Sequence, residues 1–208
     1  MIELDHLLWA APDLEAGSKL IAQLTGVEPM PGGSHPGFGT RNSLLALDKG
    51  AYFEVIAPDP TQDLTGNRGG RIAALNRPGL MTFAVRDDDL TALRKNAERA
   101  GLAVKGPTTM HRSRQDGTRL DWSILNLAHD FYGEAVPFVI DWGKTPHPSQ
   151  STPQGCRLRS FIVLHPNPEP LSRLFHDLGM PVEVGRGAHQ GFLAILDTPK
   201  GEVTLTDP

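Results

Sequence analysis

Cysteine is almost absent from this chain, which limits both its chemistry and its location. Cys156 is the single cysteine among 208 residues, so no internal disulfide can form. We therefore expect a reducing compartment and a cytoplasmic protein. Cys156 lies in a stretch rich in Pro, Ser and Gln without an obvious base beside it. A nucleophilic role for its thiol is not expected, because reactive cysteines need a basic setting.

Long apolar runs and an excess of positive charge are also missing. No apolar run approaches the ~20 residues that a membrane span needs, and the acidic N-terminus lacks a signal-peptide pattern. The net charge is −4 and no run of lysines or arginines occurs, so neither nucleic acid nor a membrane is an expected partner. The chain also has no serine-hydrolase elbow, no phosphate-binding loop and no Cys-x-x-Cys pair, and we expect no organic cofactor.

What the chain does contain is an internal repeat. Residues 33–38 read Gly-Ser-His-Pro-Gly-Phe, and residues 187–192 read Gly-Ala-His-Gln-Gly-Phe. Each copy is followed by an apolar strand, a Lys-Gly turn and a strand that ends in Asp-Pro. Repetition on this scale indicates a duplicated structural unit. We expect a cavity between the copies.

The order of predicted elements divides the chain into three units. Each reads strand, helix and then three strands, which predicts an α+β fold of repeated βαβββ half-barrels. The units span residues 1–60, 79–143 and 157–208, with linkers over 61–78 and 144–156. Two half-barrels can satisfy each other's open edges, whereas a third keeps exposed edge strands. A homodimer is one way to cover them.

Five short segments resemble a known family. The most specific is the Gly-rich stretch 33–42, which we expect to form a loop; the others are 5–7 (Asp-His-Leu), 52–56 (Tyr-Phe-Glu-Val-Ile), 116–122 and 137–142. Together with the βαβββ repeat, they are similar to the glyoxalase-like branch of the vicinal oxygen chelate superfamily. The resemblance covers nearly the whole chain and implies a curved sheet around a cavity.

The resemblance implies a divalent-metal site. In the superfamily, ligands come from the first and fourth strands of paired modules, and His6 and Glu54 fall on those positions. Strand alternation puts His6 on one face with Ile2, Leu4 and Leu8, and Glu54 with Tyr52 and Ile56. With His35 they would form a set suited to Zn, Fe(II), Mn or Ni. Without a metal, Glu54 is a candidate general base, its pKa raised by burial.

The second and third units depart from the metal-binding pattern of the superfamily. Thr82 stands where His6 stands in the first unit, and Phe138 and its neighbours stand near the position of Glu54. The third unit has Ser160 at the position of His6, and its His189 is interpreted as a structural relic of His35. A full two-module metal site is therefore in question.

The ligand contacts are predicted around the same cavity. The stretch 33–42 would bring His35, Thr40 and Asn42 to the ligand. Arg112 is the candidate for a carboxylate or phosphate, Trp122 would stack on a planar ligand, and Phe138 would add an apolar wall.

Three functions remain open from the sequence. The first is a glyoxalase-like lyase, isomerase or dioxygenase that acts on vicinal oxygens of a small carbonyl or anionic substrate, with Glu54 and His35 as catalytic residues. The second is a small-ligand-binding or sequestering protein of the same fold. In the third, a hydrogen-bonded His6–Glu54 pair merely closes the cavity of a structural module. An unpartnered buried carboxylate is costly, so Glu54 must meet a cation or strong donors in each case.

Overall fold

Two sheets and four helices form the framework of the computed structural model. It describes residues 1–113 and 119–208, and the side chains of residues 112 and 113 lie outside the described part. The strands are β1 (Glu3–Ala10), β2 (Met30–His35), β3 (Thr40–Ala46), β4 (Tyr52–Pro58), β5 (Gly79–Arg86), β6 (Ala103–Ser113), β7 (Arg119–Ala128), β8 (Phe138–Asp141), β9 (Arg157–His165), β10 (Glu183–Arg186), β11 (Gly191–Thr198) and β12 (Gly201–Thr206). The helices are α1 (Leu14–Thr25), α2 (Arg68–Ala73), α3 (Leu90–Arg99) and α4 (Pro168–Leu178).

The order of elements confirms the predicted fold class. A strand, a helix and three strands occur three times, and only the short helix α2 is inserted between the first and second units. Capping carboxylates fix the starts of α1 and α3. Asp13 accepts a hydrogen bond from the Ala16 N–H, and Asp89 accepts one from the Ala92 N–H. Asp89, the last residue of the run Asp87-Asp88-Asp89, therefore caps the start of α3.

The first two units share one eight-stranded sheet in the order β2-β3-β4-β1-β5-β8-β7-β6. At its centre β1 and β5 pair antiparallel, so each unit completes the open edge of the other. The sheet curls until its two outer strands, β2 and β6, contact each other. The concave side of this curled sheet encloses the pocket described below.

An approximate twofold axis passes through the β1–β5 pair, where Leu7 lies opposite Phe83. Two residues before Leu7, the pairing register shifts at Asp5, and two residues before Phe83 it shifts at Met81. Both shifts are β-bulges, which place an extra residue in one strand and re-aim the side chains next to it. The first strands of the two units therefore have a bulge at equivalent positions.

The bulge at Asp5 corrects the predicted alternation along β1. Ile2 and Leu4 were expected on the face of His6, but both pack against the convex-side core together with Leu7. The extra residue shifts the alternation by one, so His6 and Leu8 face the pocket while Leu4 does not. The prediction for β4 is confirmed, because Tyr52, Glu54 and Ile56 all line the pocket.

The third unit keeps the order of elements but pairs its strands differently. Its sheet has the order β10-β9-β11-β12, with β10 parallel to β9, whereas β2 of the first unit lies at the far edge from β1. This sheet packs on the convex side of the larger one. There the buried ring of Phe83 contacts the rings of Phe161, Phe175 and Phe192. The expected cavity therefore lies between the first and second units, and not between the two copies of the repeated hexapeptide.

The Gly-rich stretch 33–42, which the sequence predicted to be a loop, belongs to a hairpin. Residues 30–35 form β2 and pair with β3, and only residues 36–39 make the turn. Gly37 and Gly39 have positive φ values of 81° and 66°, which a side chain would strain. Among the described residues, no helix is long and apolar enough to cross a membrane.

Candidate functional site

A pocket opens on the concave side of the eight-stranded sheet, with about 680 Å³ of empty space including the part open to solvent. Its polar lining is His6, His35, Thr40, Asn42, Tyr52, Glu54, Arg68, Asn126 and the indoles of Trp122 and Trp142. Its apolar lining comes from Leu8, Phe38, Ile56, Met110, Ile124, Phe138 and Ile140. The structure thus brings together every predicted site residue except Arg112, whose side chain lies outside the described part.

Three buried ionisable groups stand in a row at one wall of the pocket. The His6 Nδ1 lies 2.6 Å from Asp5 Oδ1, and its Nε2 lies 3.3 Å from Glu54 Oε2. All three side chains are almost fully buried. The predicted meeting of His6 and Glu54 across the cavity is therefore present, and Asp5 joins it from the other side of the imidazole.

Asp5 reaches this position because of the bulge in β1. A regular strand would turn Asp5 away from His6, since neighbouring side chains alternate between faces. Its Oδ2 also accepts a hydrogen bond from the Trp142 indole at 2.8 Å and lies 3.0 Å from His147 Nε2. Asp5 thereby ties His6 to the end of β8 and to the segment that leads to the third unit. These three contacts hold the imidazole in one orientation.

The charges of the row follow from its contacts. Burial alone would lower the pKa of His6, but the hydrogen bonds and charges of Asp5 and Glu54 raise it to about 9. Burial alone would raise the pKa of Glu54, yet His6, the charge of His35 and the Asn42 amide together lower it to about 2. The same kind of contact holds the pKa of Asp5 well below its usual range. At neutral pH an imidazolium lies between two carboxylates, so the expected upward shift for Glu54 is wrong.

The β2–β3 hairpin provides the other contacts of Glu54. The Asn42 amide nitrogen donates to Glu54 Oε1 at 2.5 Å, while the Asn42 oxygen accepts the Gly33 N–H at 3.0 Å. The His35 ring lies on the far side, with Nε2 3.9 Å from Glu54 Oε1 and Nδ1 2.9 Å from the Thr40 hydroxyl. Both oxygens of Glu54 are thus engaged by the first unit alone.

Aromatic rings form much of the remaining wall. The Tyr52 ring stacks on His6 with centroids 4.4 Å apart, and the Phe138 ring meets His6 edge-on at 5.6 Å. The Trp122 and Trp142 rings lie 5.5 Å apart. Trp122 and Phe138 therefore line the pocket, as predicted.

Arg68 is a pocket residue that the sequence did not reveal. It begins α2, inside the segment predicted to be a linker, and its Cζ lies 5.5 Å from the centre of the Phe138 ring. Burial lowers its pKa, while the charges of Glu134 and Glu54 act in the opposite direction. Asp5, Trp142 and His147 were missed as well, because sequence patterns do not show a bulge or a contact between distant segments.

His189 has no part in this site. Its side chain is 77% exposed on the third unit, where its nearest carboxylate is Asp207 at 3.5 Å. His35, the residue that it repeats in sequence, lies on a strand, whereas His189 lies in a turn before β11. The same six-residue pattern thus occupies two different structural settings.

Among the described residues, the first unit alone presents metal-ligating side chains to the pocket wall, and they do not fit a metal held by two modules. Relative to the Leu7–Phe83 axis, Thr82 corresponds to His6. Because Leu8 pairs with Glu54 and Ala84 pairs with Phe138, Phe138 corresponds to Glu54. Within residues 1–113 and 119–208, no three His, Cys, Asp or Glu side chains converge as metal ligands do. The Phe138 ring fills the place where the second carboxylate would stand.

Comparison with known families agrees with this fold. The profile of the glyoxalase-like domain family matches residues 4–179, which is most of the chain. The chain belongs to the glyoxalase-like domain family. The glyoxalase-like resemblance that the sequence predicted is thereby confirmed.

Solved structures show the same fold at low sequence identity. A hypothetical protein from Staphylococcus aureus is 17% identical with a TM-score of 0.71, covering 99% of this chain and 85% of that one. A methylmalonyl-CoA epimerase in complex with methylmalonyl-CoA and NH4+ is 18% identical with a TM-score of 0.51, covering 71% and 99%. A variant of the Streptomyces coelicolor methylmalonyl-CoA epimerase, in complex with 2-nitronate-propionyl-CoA, is also 18% identical, with a TM-score of 0.50 and coverage of 70% and 97%. No curated protein sequence matches the chain.

Proposed function

We propose that this chain is an enzyme that moves a proton on a small carbonyl compound, in an isomerase or lyase reaction, with His6 and Glu54 as the catalytic pair. The observation that carries the proposal is the 3.3 Å contact between His6 Nε2 and Glu54 Oε2 at the pocket wall. An acid and a base side by side, one oriented by Asp5, are the groups that such a reaction needs.

The contacts assign the role of general acid to His6 and the role of general base to Glu54. The His6 imidazolium donates its Nε2 proton to the substrate carbonyl oxygen, and Glu54 takes the proton from the neighbouring carbon as the C–H bond breaks. The electron pair of that bond forms the C=C bond of the enol, and the π pair of the carbonyl moves to the oxygen that His6 protonates. As the proton leaves His6, the main cause of the low pKa of Glu54 weakens, and the carboxylate becomes a stronger base. His35 and Asn42 keep the second oxygen of Glu54 in place.

The predicted metal is not used in this scheme because the donors do not fit it. The two positions that would complete a two-module site hold Thr82 and Phe138, and Glu54 Oε1 is already bound by Asn42. The reaction is therefore assigned to side chains alone.

Proton exchange with solvent tests the proposal directly. The protein is incubated in D2O with 2-oxobutanoate or phenylpyruvate, and deuterium uptake next to the carbonyl is followed by proton NMR. We expect uptake that Glu54→Gln and His6→Gln each slow by about 10²- to 10⁴-fold, the usual contribution of a positioned acid or base. His189→Gln is the control, because this imidazole is exposed and distant from the pocket. Equal rates in all variants contradict the role of the pair.

A metal measurement accompanies the exchange experiment. Bound transition metal is quantified in the purified protein and in His6→Ala, and the exchange is repeated after treatment with a chelator. We expect exchange to survive the chelator. Near-stoichiometric metal that is lost in His6→Ala, together with exchange lost on chelation, would replace the scheme by metal-assisted chemistry at His6, His35 and Glu54.

A ligand-sequestering protein is the alternative, and the apolar substitution in the second unit favours it. Phe138 stands where the first unit has the Glu54 carboxylate. Its ring adds to an apolar wall that Trp122 and Trp142 already form. Tight ligand binding without any solvent exchange would support this second function.

A further inference from the structure

Arg68 lines the pocket, and no carboxylate among the described side chains forms an ion pair with it. Among the residues that the structure describes, its guanidinium has no ion pair and no hydrogen bond, and its Cζ lies over the Phe138 ring at 5.5 Å. Arg68 is a partly buried residue, and a guanidinium that loses hydration needs an anion to offset that loss.

The neighbouring carboxylates are already engaged by other groups. Glu134 and Glu54 are the acids whose charges act on Arg68. Glu134 forms an ion pair with Arg71 at 2.7 Å, and Glu54 is held by His6 and Asn42. The fork of Arg68 is therefore free, within the described part of the chain, to receive an anion from the pocket.

We propose that Arg68 binds a carboxylate of the ligand, so that the substrates of this site are small carbonyl compounds that also carry a carboxylate group. This inference rests on the proposed function for the carbonyl half and on Arg68 for the carboxylate half. An arginine fork matches the two oxygens of a carboxylate, which a lysine ammonium does not.

The position of Phe138 relates the two halves of such a ligand. The centre of the His6 ring lies 5.6 Å from the centre of the Phe138 ring, and the Arg68 Cζ lies 5.5 Å from it. The distance between the two cationic groups is therefore at most the sum of these two distances. A single small molecule can reach both groups. Its apolar remainder then lies along Phe138 and Trp122, both of which line the pocket. The sequence predicted the same kind of contact for Arg112, whose side chain lies outside the described part.

Benzoate and benzamide separate the charge of a ligand from its shape. Binding of each is measured by tryptophan fluorescence, because Trp122 and Trp142 line the pocket, and by ligand-observed NMR. We expect benzoate to bind and benzamide to bind at least about tenfold more weakly, as for a charge-assisted pair. Arg68→Gln should lower benzoate affinity by about tenfold or more, and Arg68→Lys by a smaller factor.

The matched control is Arg186→Gln, which removes an exposed guanidinium of the third unit that does not line the pocket and leaves the Arg71–Glu134 ion pair in place. It should keep the benzoate affinity of the wild type. Circular dichroism checks folding, and Arg68→Lys provides the comparison if Arg68→Gln unfolds. Equal binding of the two probes, no binding of either, or unchanged affinity in both Arg68 variants overturns the inference.

Glu54→Gln distinguishes this inference from the proposed function. It should slow solvent exchange by about 10²- to 10⁴-fold yet keep benzoate binding, because removal of a neighbouring negative charge does not weaken an anion site. If the wild type fails to exchange but binds benzoate through Arg68, the proposed reaction is wrong and the carboxylate site stands. If exchange occurs and Arg68 variants bind benzoate normally, the reaction stands and the carboxylate site is wrong.

Discussion

His6 is the residue of the Asp5–His6–Glu54 row on which the charges of both carboxylates depend. His6 stays protonated because two carboxylates touch it, and both carboxylates stay ionised because His6 and other donors touch them. Removal of one member leaves a buried charge without its partner. The resulting loss of folding free energy is larger than the stabilisation that the intact pair provides. The row should therefore titrate as a unit and influence the stability of the whole chain.

The pH dependence of stability is the first consequence. The pKa of His6 is raised from 6.5 to about 9, so its stabilising effect is complete below pH 6.5 and is lost as the pH rises to about 9. In that window the free energy of unfolding should fall by up to about 1.4 kcal/mol per pH unit. Urea unfolding of the wild type at pH 6 and pH 9 measures this loss. His6→Gln should lack the loss, whereas His189→Gln should keep it.

Below pH 4.5, the stability of the chain should change with pH in the opposite direction. The pKa of Glu54 is lowered from 4.5 to about 2, so its contribution is present above pH 4.5 and is lost as the pH falls toward 2. Asp5 acts in the same direction. Urea unfolding at pH 4.5 and about pH 2.5 measures this loss, and a stability that rises as the pH falls between these values would contradict the ionised row.

Strand alternation and a family resemblance were enough to predict most of the pocket residues. His6 and Glu54 are polar residues within apolar strands, and residue type alone made them candidates. Asp5 could not be found in this way, because the bulge breaks the alternation on which the argument depends. Arg68 was hidden in a segment that has the composition of a linker.

At the scale of elements, the tip of the β2–β3 hairpin is docked on the start of α2. The Gly69 N–H donates to the Phe38 carbonyl at 3.0 Å. A Cβ atom on Gly69 would lie 2.0 Å from the Gly39 carbonyl oxygen, which is a backbone atom. Two glycines thus allow the strand that carries Thr40 to approach the helix that carries Arg68.

Gly69→Ala should separate these two elements. We expect a loss of about 1–3 kcal/mol of stability from overpacking, together with weaker benzoate binding, because Arg68 is the residue next to Gly69. Gly37→Ala is the comparison, since no atom lies within 4 Å of its Cβ position. It should cost about 1 kcal/mol through its positive φ alone and leave ligand binding intact. Urea unfolding and the fluorescence titration give both quantities, and equal binding losses in the two variants would contradict the docking role.

The hairpin is also an element that local sequence composition does not predict. Its Gly, Pro and Ser content has the composition of a loop, and only its pairing with β3 makes residues 30–35 a strand. Tertiary context overrides local preference in such segments.

At the scale of the whole molecule, the third unit serves as a cover for the convex side of the sheet. Phe83 is fully buried between the two sheets, while its neighbours in β5, Thr82 and Ala84, pair with residues that face the pocket. The packing that holds the third unit and the chemistry of the pocket thus lie on opposite faces of one strand.

Phe83→Ala should destabilise the chain without changing the site. Loss of a fully buried ring costs about 3–5 kcal/mol, which urea unfolding can measure. Benzoate affinity should stay within about twofold of the wild type at low denaturant. A large loss of affinity with little loss of stability would instead mean that the convex core controls the pocket.

The count of three units could be read from the sequence, but their arrangement could not. Element order predicted βαβββ three times, whereas strand pairing depends on which edges meet in space. The third unit shows this, because a hexapeptide shared with the first unit lies in a sheet with another strand order. The homodimer and the limits of the domains stay predictions.

The twofold relation between the first and second units also has a bearing on how members of this family diverge. Thr82 and Phe138 occupy the mirror places of His6 and Glu54. Two substitutions, Thr82→His and Phe138→Glu, would therefore turn an asymmetric wall into a cage with donors on both sides. On this backbone, the residue types at two positions therefore separate a wall with donors from one unit from a site with donors from both.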